Sequence, residues 1–189
     1  MENTKTKRLS TKSMVLCAMF TALVAVGAFI QIPVPYMDYF TLQFFFVLLA
    51  GLILGGNKGA TSVGCYVLLG LIGIPIFAAG GGIGYIFRPS FGYLVGFIAS
   101  AFVTGKICEK LKASYKNYLL ACLAGFVVTY AIGIVYKFII LNFYAHTPAT
   151  IAVIFLSCFP LDMPGDFVLC LLASGVGLKM RKNGFCLNE

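Results

Sequence analysis

Acidic residues are nearly missing from this chain: six Asp and Glu stand against 14 Lys and Arg in 189 residues, and charged residues of both signs make up only 11%. A soluble domain carries roughly 25%, so a water-exposed globular surface is excluded. Tryptophan is absent, and the single histidine, His146, is loop-bound and is assigned no role. The seven cysteines (Cys17, Cys65, Cys108, Cys122, Cys158, Cys170, Cys186) contain no CxxC pair. Most fall in apolar stretches, where a thiol acts as a small apolar group, so neither a metal site nor a disulfide framework is expected. A phosphate-binding GxxxxGK[ST] loop is also missing, and with it any encoded energy source. The lack of HExxH and of serine–histidine or cysteine–histidine groupings weighs against an intramembrane enzyme built on Asp166 and Lys137.

What the chain has in abundance is apolar length. Hydrophobic residues make up 60% and aromatics 15%, and runs long enough for a hydrocarbon layer of about 30 Å, or about 20 helical residues, recur along it. Six spans are expected: Met14 to Ile32, Tyr39 to Leu54, Ala60 to Ala79, Phe91 to Cys108, Tyr118 to Leu141, and a broken segment from Ile151 to Met180. The fold class is therefore all-α and polytopic, one domain over residues 1–189 with a basic segment at 1–12. The first span is too long, and too poor in a small-x-small cleavage site, to read as a signal peptide, and it is expected to be retained.

The positive charge sorts itself against these spans. Lys5, Lys7, Arg8 and Lys12 precede the first, Lys58 separates the second and third, Lys106, Lys110, Lys112 and Lys116 follow the fourth, and Lys179, Arg181 and Lys182 follow the sixth. With six crossings all four groups lie on one side, which the positive-inside rule makes cytoplasmic, together with both termini. Topology and contact with the lipid bilayer thus account for the basic balance, and nucleic acid is not an expected partner.

Three connections fall outside: Pro33 to Asp38, Gly80 to Ser90 and Asn142 to Thr150. The second opens "GGGIGYIFRPSFGYLVGF", whose glycines suit either a loop folded tightly over a ligand or a plain re-entrant turn. In the last segment Pro160 and Pro164 break the run, since proline is tolerated only in a helix's first turn. A new helix is expected to start near Asp162, with Asp166 in its first turn at membrane depth. A carboxylate there costs at least about 2.5 kcal/mol to insert. It either caps the helix N-terminus, with Asp162 as N-cap, or accepts from a ligand's N–H groups. Lys137 either snorkels to the outer interface or, with Arg88, makes a positive trap for a carboxylate, Arg88 being equally suited to lipid phosphate. Thr41 and Gln43 are polar groups at the outer end of the second span. Tyr85, Phe91 and Tyr93 serve either as an interfacial belt or as flat walls for a ring-bearing ligand. Ala18, Ala22 and Ala25 form a smooth stripe for close approach of another helix, within the chain or outside it.

Taken in order, "IPVPYMDYFTLQFFFVLLAGLILG", "YVLLGLIGIPIFAAGGGIGYIFRPSFGYLVGF" and the "PGD" of Pro164 to Asp166 resemble the BioY family, the biotin-binding components of energy-coupling factor transporters. The resemblance covers nearly the whole chain. It implies a bacterial inner-membrane protein that binds biotin in a cleft near the outer face beneath closing loops, uses no cofactor and performs no bond chemistry. It also implies docking, through the alanines of the first span, onto a transmembrane coupling protein driven by two cytoplasmic ATPases. Biotin's ureido ring carries two N–H donors and one acceptor, its sulfur ring is apolar and its tail ends in a carboxylate. On this resemblance Asp166 is expected to accept from the ureido group, Thr41, Gln43 and the Gly84–Tyr85 backbone to add polar contacts, Tyr85, Phe91 and Tyr93 to wall the rings, and Arg88 or Lys137 to meet the carboxylate. The family commonly carries a lysine three residues after the PGD aspartate, whereas this chain has Leu169. Dethiobiotin or lipoate is accordingly the alternative ligand, and an intramembrane lipid-modifying enzyme or a ligand-free assembly subunit the alternative function.

Overall fold

The computed structural model describes residues 10–32, 40–145, 149–158 and 162–184. Helix α1 spans Thr11–Phe29. A two-residue ribbon follows, in which β1 (Gln31–Ile32) pairs antiparallel with β2 (Phe40–Thr41) in the register Gln31 to Thr41 and Ile32 to Phe40. Next come α2 (Gln43–Leu54), α3 (Gly56–Leu71), a 3-10 turn at Ile83–Phe87, and α4 (Phe91–Lys110). The chain continues through α5 (Tyr115–Ile139), which runs on into a π-helical turn at Ile140–Tyr144, then α6 (Ile151–Cys158) and α7 (Asp162–Lys182). Lys5, Lys7, Arg8, Pro33 to Asp38, His146 and Pro160 fall outside the described residues.

Among the described residues, four helices are long and apolar enough to cross a membrane: Thr11–Phe29, Phe91–Lys110, Tyr115–Tyr144 and Asp162–Lys182. Helix α2 has only 12 residues yet is apolar all round, because it is enclosed all round. Its residues Leu48, Leu52, Ile53 and Leu54 are among the most buried in the chain, and it packs on α1, α3, α4 and α7. The expected third span, Ala60 to Ala79, is corrected: α3 starts at Gly56 and stops at Leu71 although the apolar run continues. Gly73 adopts φ +111°, and Phe77 and Gly80 exchange backbone hydrogen bonds of 2.9 and 3.1 Å, so residues 72–80 turn back on themselves. Gly80 and Gly82, at φ +109° and +103°, occupy backbone angles that a side chain resists. Phe77 is buried in the turn and stacks edge-on to Tyr66 of α3, pinning the loop to the bundle.

Apart from Arg88 and Lys137, the described basic residues near helix ends collect at one end of the bundle. Cys17 Sγ of α1 donates to the Lys58 carbonyl of α3, Arg181 of α7 donates to Tyr118 Oη of α5, and Glu109 of α4 accepts from Gly56 N at the start of α3 at 2.9 Å. Glu109 also pairs with Lys106 at 3.0 Å. Where α4 crosses this turn, Gly105 lies against the Gly56 backbone so closely that a Cβ would overlap Gly56 N. Helices α4 and α5 run antiparallel from here, Thr104 Oγ1 donating to the Ala121 carbonyl and Gly96 sitting against Thr129. The start of α4, the end of α5 and the start of α7 are thereby brought together at the opposite end.

Candidate functional site

At that opposite end a cavity of about 100 Å³ opens between β2, the Ala78–Tyr85 loop and helices α2, α4, α5 and α7. Phe40, Phe44, Tyr85, Tyr93, Phe97 and Tyr130 make most of its wall, with Leu94, Ala78 and Ala79. Thr41, Gln43, Ser90, Lys137, Asp162 and Asp166 supply polar groups. Few polar groups in an aromatic wall is the pattern of a pocket that holds an apolar ring system and orients it by a handful of hydrogen bonds.

Each polar group is set by its own element. Proline is compatible with the first turn of a helix, and Pro164 lets α7 start at Asp162, which puts Asp166 in the cavity wall near the helix's N-terminal end. Tyr130 of α5 donates its hydroxyl to Asp166 Oδ2 at 2.8 Å. Its ring is held by Phe126 at 4.7 Å and edge-on by Tyr93 at 5.8 Å. Lys137 lies seven residues, or two helical turns, further along α5 on the same face. Gln43, the first residue of α2, is buried and donates through Nε2 to Tyr66 Oη at 2.6 Å, while Thr41 Oγ1 stands 3.5 Å from its Oε1. Tyr85 packs tilted against Phe77 at a centroid distance of 4.6 Å.

Of the nine residues singled out in the sequence for binding, six line this cavity: Thr41, Gln43, Tyr85, Tyr93, Lys137 and Asp166. Three stand outside its lining. Arg88 is exposed, with its guanidinium carbon 5.3 Å from the centroid of the Tyr85 ring. Gly84 is exposed on the loop. Phe91 is buried against Tyr136, 5.8 Å away, whose hydroxyl bonds the Ile86 carbonyl behind the loop. Sequence reasoning missed Tyr130, although its seven-residue spacing from Lys137 put both on one face. Leu169 is part of the buried core. On α1, Ala18 and Ala22 are exposed and Ala25 is half-buried, while Phe20, Val24 and Ala28 face the bundle.

The sequence model of the BioY family matches residues 2–184. The chain belongs to the BioY family. Among its relatives, a protein of Lysinibacillus sphaericus named probable biotin transporter BioY is 39% identical over 177 residues, covering 93% of this chain and 90% of the other. The biotin transporter BioY of Thermotoga maritima is 44% identical over 136 residues, 71% of this chain and 77% of that one. This BioY-family chain also shares its fold with a crystallised S-component for biotin from an ECF-type ABC transporter, with a TM-score of 0.80 and 24% identity over 93% of this chain and 95% of the other.

Proposed function

We propose that this protein is the biotin-specific, substrate-binding component of an energy-coupling factor transporter, and that the cavity above α2 is its biotin site. The observation that carries this reading is the mixed chemistry of one pocket: an acceptor, Asp166 of α7, and a cation, Lys137 of α5, line the same cavity with tyrosine and phenylalanine rings. Tyr130, the partner of Asp166, and Lys137 are seven residues apart, about 10 Å along a helix. A ligand with N–H donors on a fused ring and a carboxylate on a five-carbon tail satisfies both ends. Asp166 and Gln43 accept from the ureido group, Tyr85 and Tyr93 wall the ring, Thr41 adds a polar contact, and Lys137 neutralises the carboxylate in place of the cation the family commonly carries at the Leu169 position.

The chain crosses the bacterial cell membrane six times, α2 and α3 serving as two short spans and α6 with α7 as the broken last one. The basic helix ends and both termini face the cytoplasm, and the cavity opens outward. A transmembrane coupling protein takes the exposed Ala18–Ala22 face of α1 and two ATPases supply the energy. Ligand occupancy then shifts the conformational balance of the binding unit within that complex.

The test is calorimetric titration of the purified chain with biotin, dethiobiotin and lipoate. Submicromolar biotin binding is expected, with Asp166→Asn abolishing it: the amide keeps one acceptor oxygen, for which the Tyr130 hydroxyl and the ligand then compete. Tighter binding of lipoate than of biotin overturns the substrate assignment, and unchanged affinity in Asp166→Asn overturns the role of that carboxylate.

A further inference from the structure

We propose that Tyr66, which does not line the cavity, is a positioning residue that holds the Gln43 amide with its oxygen toward the ligand. The inference rests on the biotin reading above and extends it to the source of its selectivity. A phenol has one proton to donate, and the Tyr66 hydroxyl has two close neighbours: the Ile76 carbonyl at 3.1 Å and the Gln43 side-chain amide at 2.6 Å. A carbonyl only accepts, so the proton is committed to Ile76. The phenol oxygen can then accept its other bond, and the NH2 end of Gln43, 2.6 Å away, supplies it. Turning the amide over would press Oε1 against an oxygen with no proton left, or strip the Ile76 carbonyl of its donor. Tyr66 is wholly buried and Gln43 is 3% exposed, so two facing oxygens there would not be relieved by bulk water.

The chain of bonds from Ile76 through Tyr66 to Gln43 therefore leaves Oε1 as the end of the amide available to the cavity, on the Thr41 side. Gln43 becomes a second N–H acceptor on α2, across the pocket from Asp166 on α7. Two acceptors on different helices match a ligand with two N–H donors and discriminate against one that has lost either. The Tyr66 ring is held by Phe77 at 5.5 Å and 74°. Because Phe77 and Ile76 both belong to the 72–80 turn, the seating of that loop and the polarity of Gln43 are set by the same residue.

The test is a double-mutant cycle on the full chain, read by biotin affinity, with Tyr66→Phe and Gln43→Leu. Tyr66→Phe keeps the packed ring, and its thermal unfolding midpoint is compared with that of the unsubstituted protein. Loss of one neutral hydrogen bond's orienting effect is expected to weaken biotin about tenfold. The same substitution in the Gln43→Leu background should change affinity less than threefold, because no amide is left to orient. Biotin methylated on the ureido nitrogen that meets Gln43 should likewise be indifferent to Tyr66→Phe, when both N-methyl isomers are compared. Equal losses in the two backgrounds, or an unchanged Tyr66→Phe protein that still binds biotin, overturn the role of Tyr66 alone. Failure of the unsubstituted protein to bind biotin overturns the substrate reading and this inference with it.

Discussion

Among the described residues, Lys137 and Arg88 are the two cations at the cavity end of the protein, and exchanging each for methionine separates their roles. Lys137 lines the cavity and forms no ion pair among the described residues, whereas Arg88 lies outside it against the Tyr85 ring. A hydrogen bond to a charged group is worth about 1.5–3 kcal/mol net, so Lys137→Met should weaken biotin roughly 10- to 150-fold. Arg88→Met removes an exposed cation–π contact worth about 0.5–1 kcal/mol, equivalent to a loss of at most about fivefold. Biotin amide provides the control: its neutral tail offers no carboxylate, and on it Lys137→Met should cost less than about threefold. Calorimetry in detergent reads all four combinations. The reasoning fails if Arg88→Met proves the more damaging change, or if Lys137→Met weakens acid and amide alike.

At the opposite end, Gly105→Val should destabilise the protein by about 1–3 kcal/mol, since the added atoms meet backbone at Gly55 and Gly56 rather than a yielding side chain; a thermal midpoint unchanged from the parent would refute the close packing. Ala22→Trp fills the smooth face of α1 without touching the cavity. Biotin binding by the isolated chain should be retained while uptake by cells supplying the coupling subunits is lost, and normal uptake would remove α1 from the partner contact.

The pairings that complete the pocket were beyond sequence reading because they join distant residues. Asp166 and Tyr130 are 36 positions apart and Gln43 and Tyr66 are 23 apart. Each tyrosine sits in an apolar run that reads as ordinary membrane helix, and only the packing of α5 on α7 and of α2 on α3 gives its hydroxyl a purpose. Arg88 shows the reverse: its charge stands out in the sequence, yet the turn at Ile83–Phe87 carries it outside the cavity lining. The end of α3 was missed for a related reason. Hydropathy continues through Ala79, while the left-handed angle at Gly73 and the Phe77–Gly80 pairing that reverse the chain leave no trace in an average over apolar residues.

Sequence by itself determined what is local or additive: that the chain is an apolar helical protein, that its basic residues alternate with its spans, that a new helix starts near Asp162 because Pro164 is tolerated only in a first turn, and that its ordered motifs belong to one family. Tertiary structure decided which side chains share a pocket, which cation enters it, and which way a buried amide faces. The first set follows from transfer free energies and backbone sterics, which each residue carries with it. The second follows from hydrogen bonds between helices, whose partners exist only once the bundle has closed.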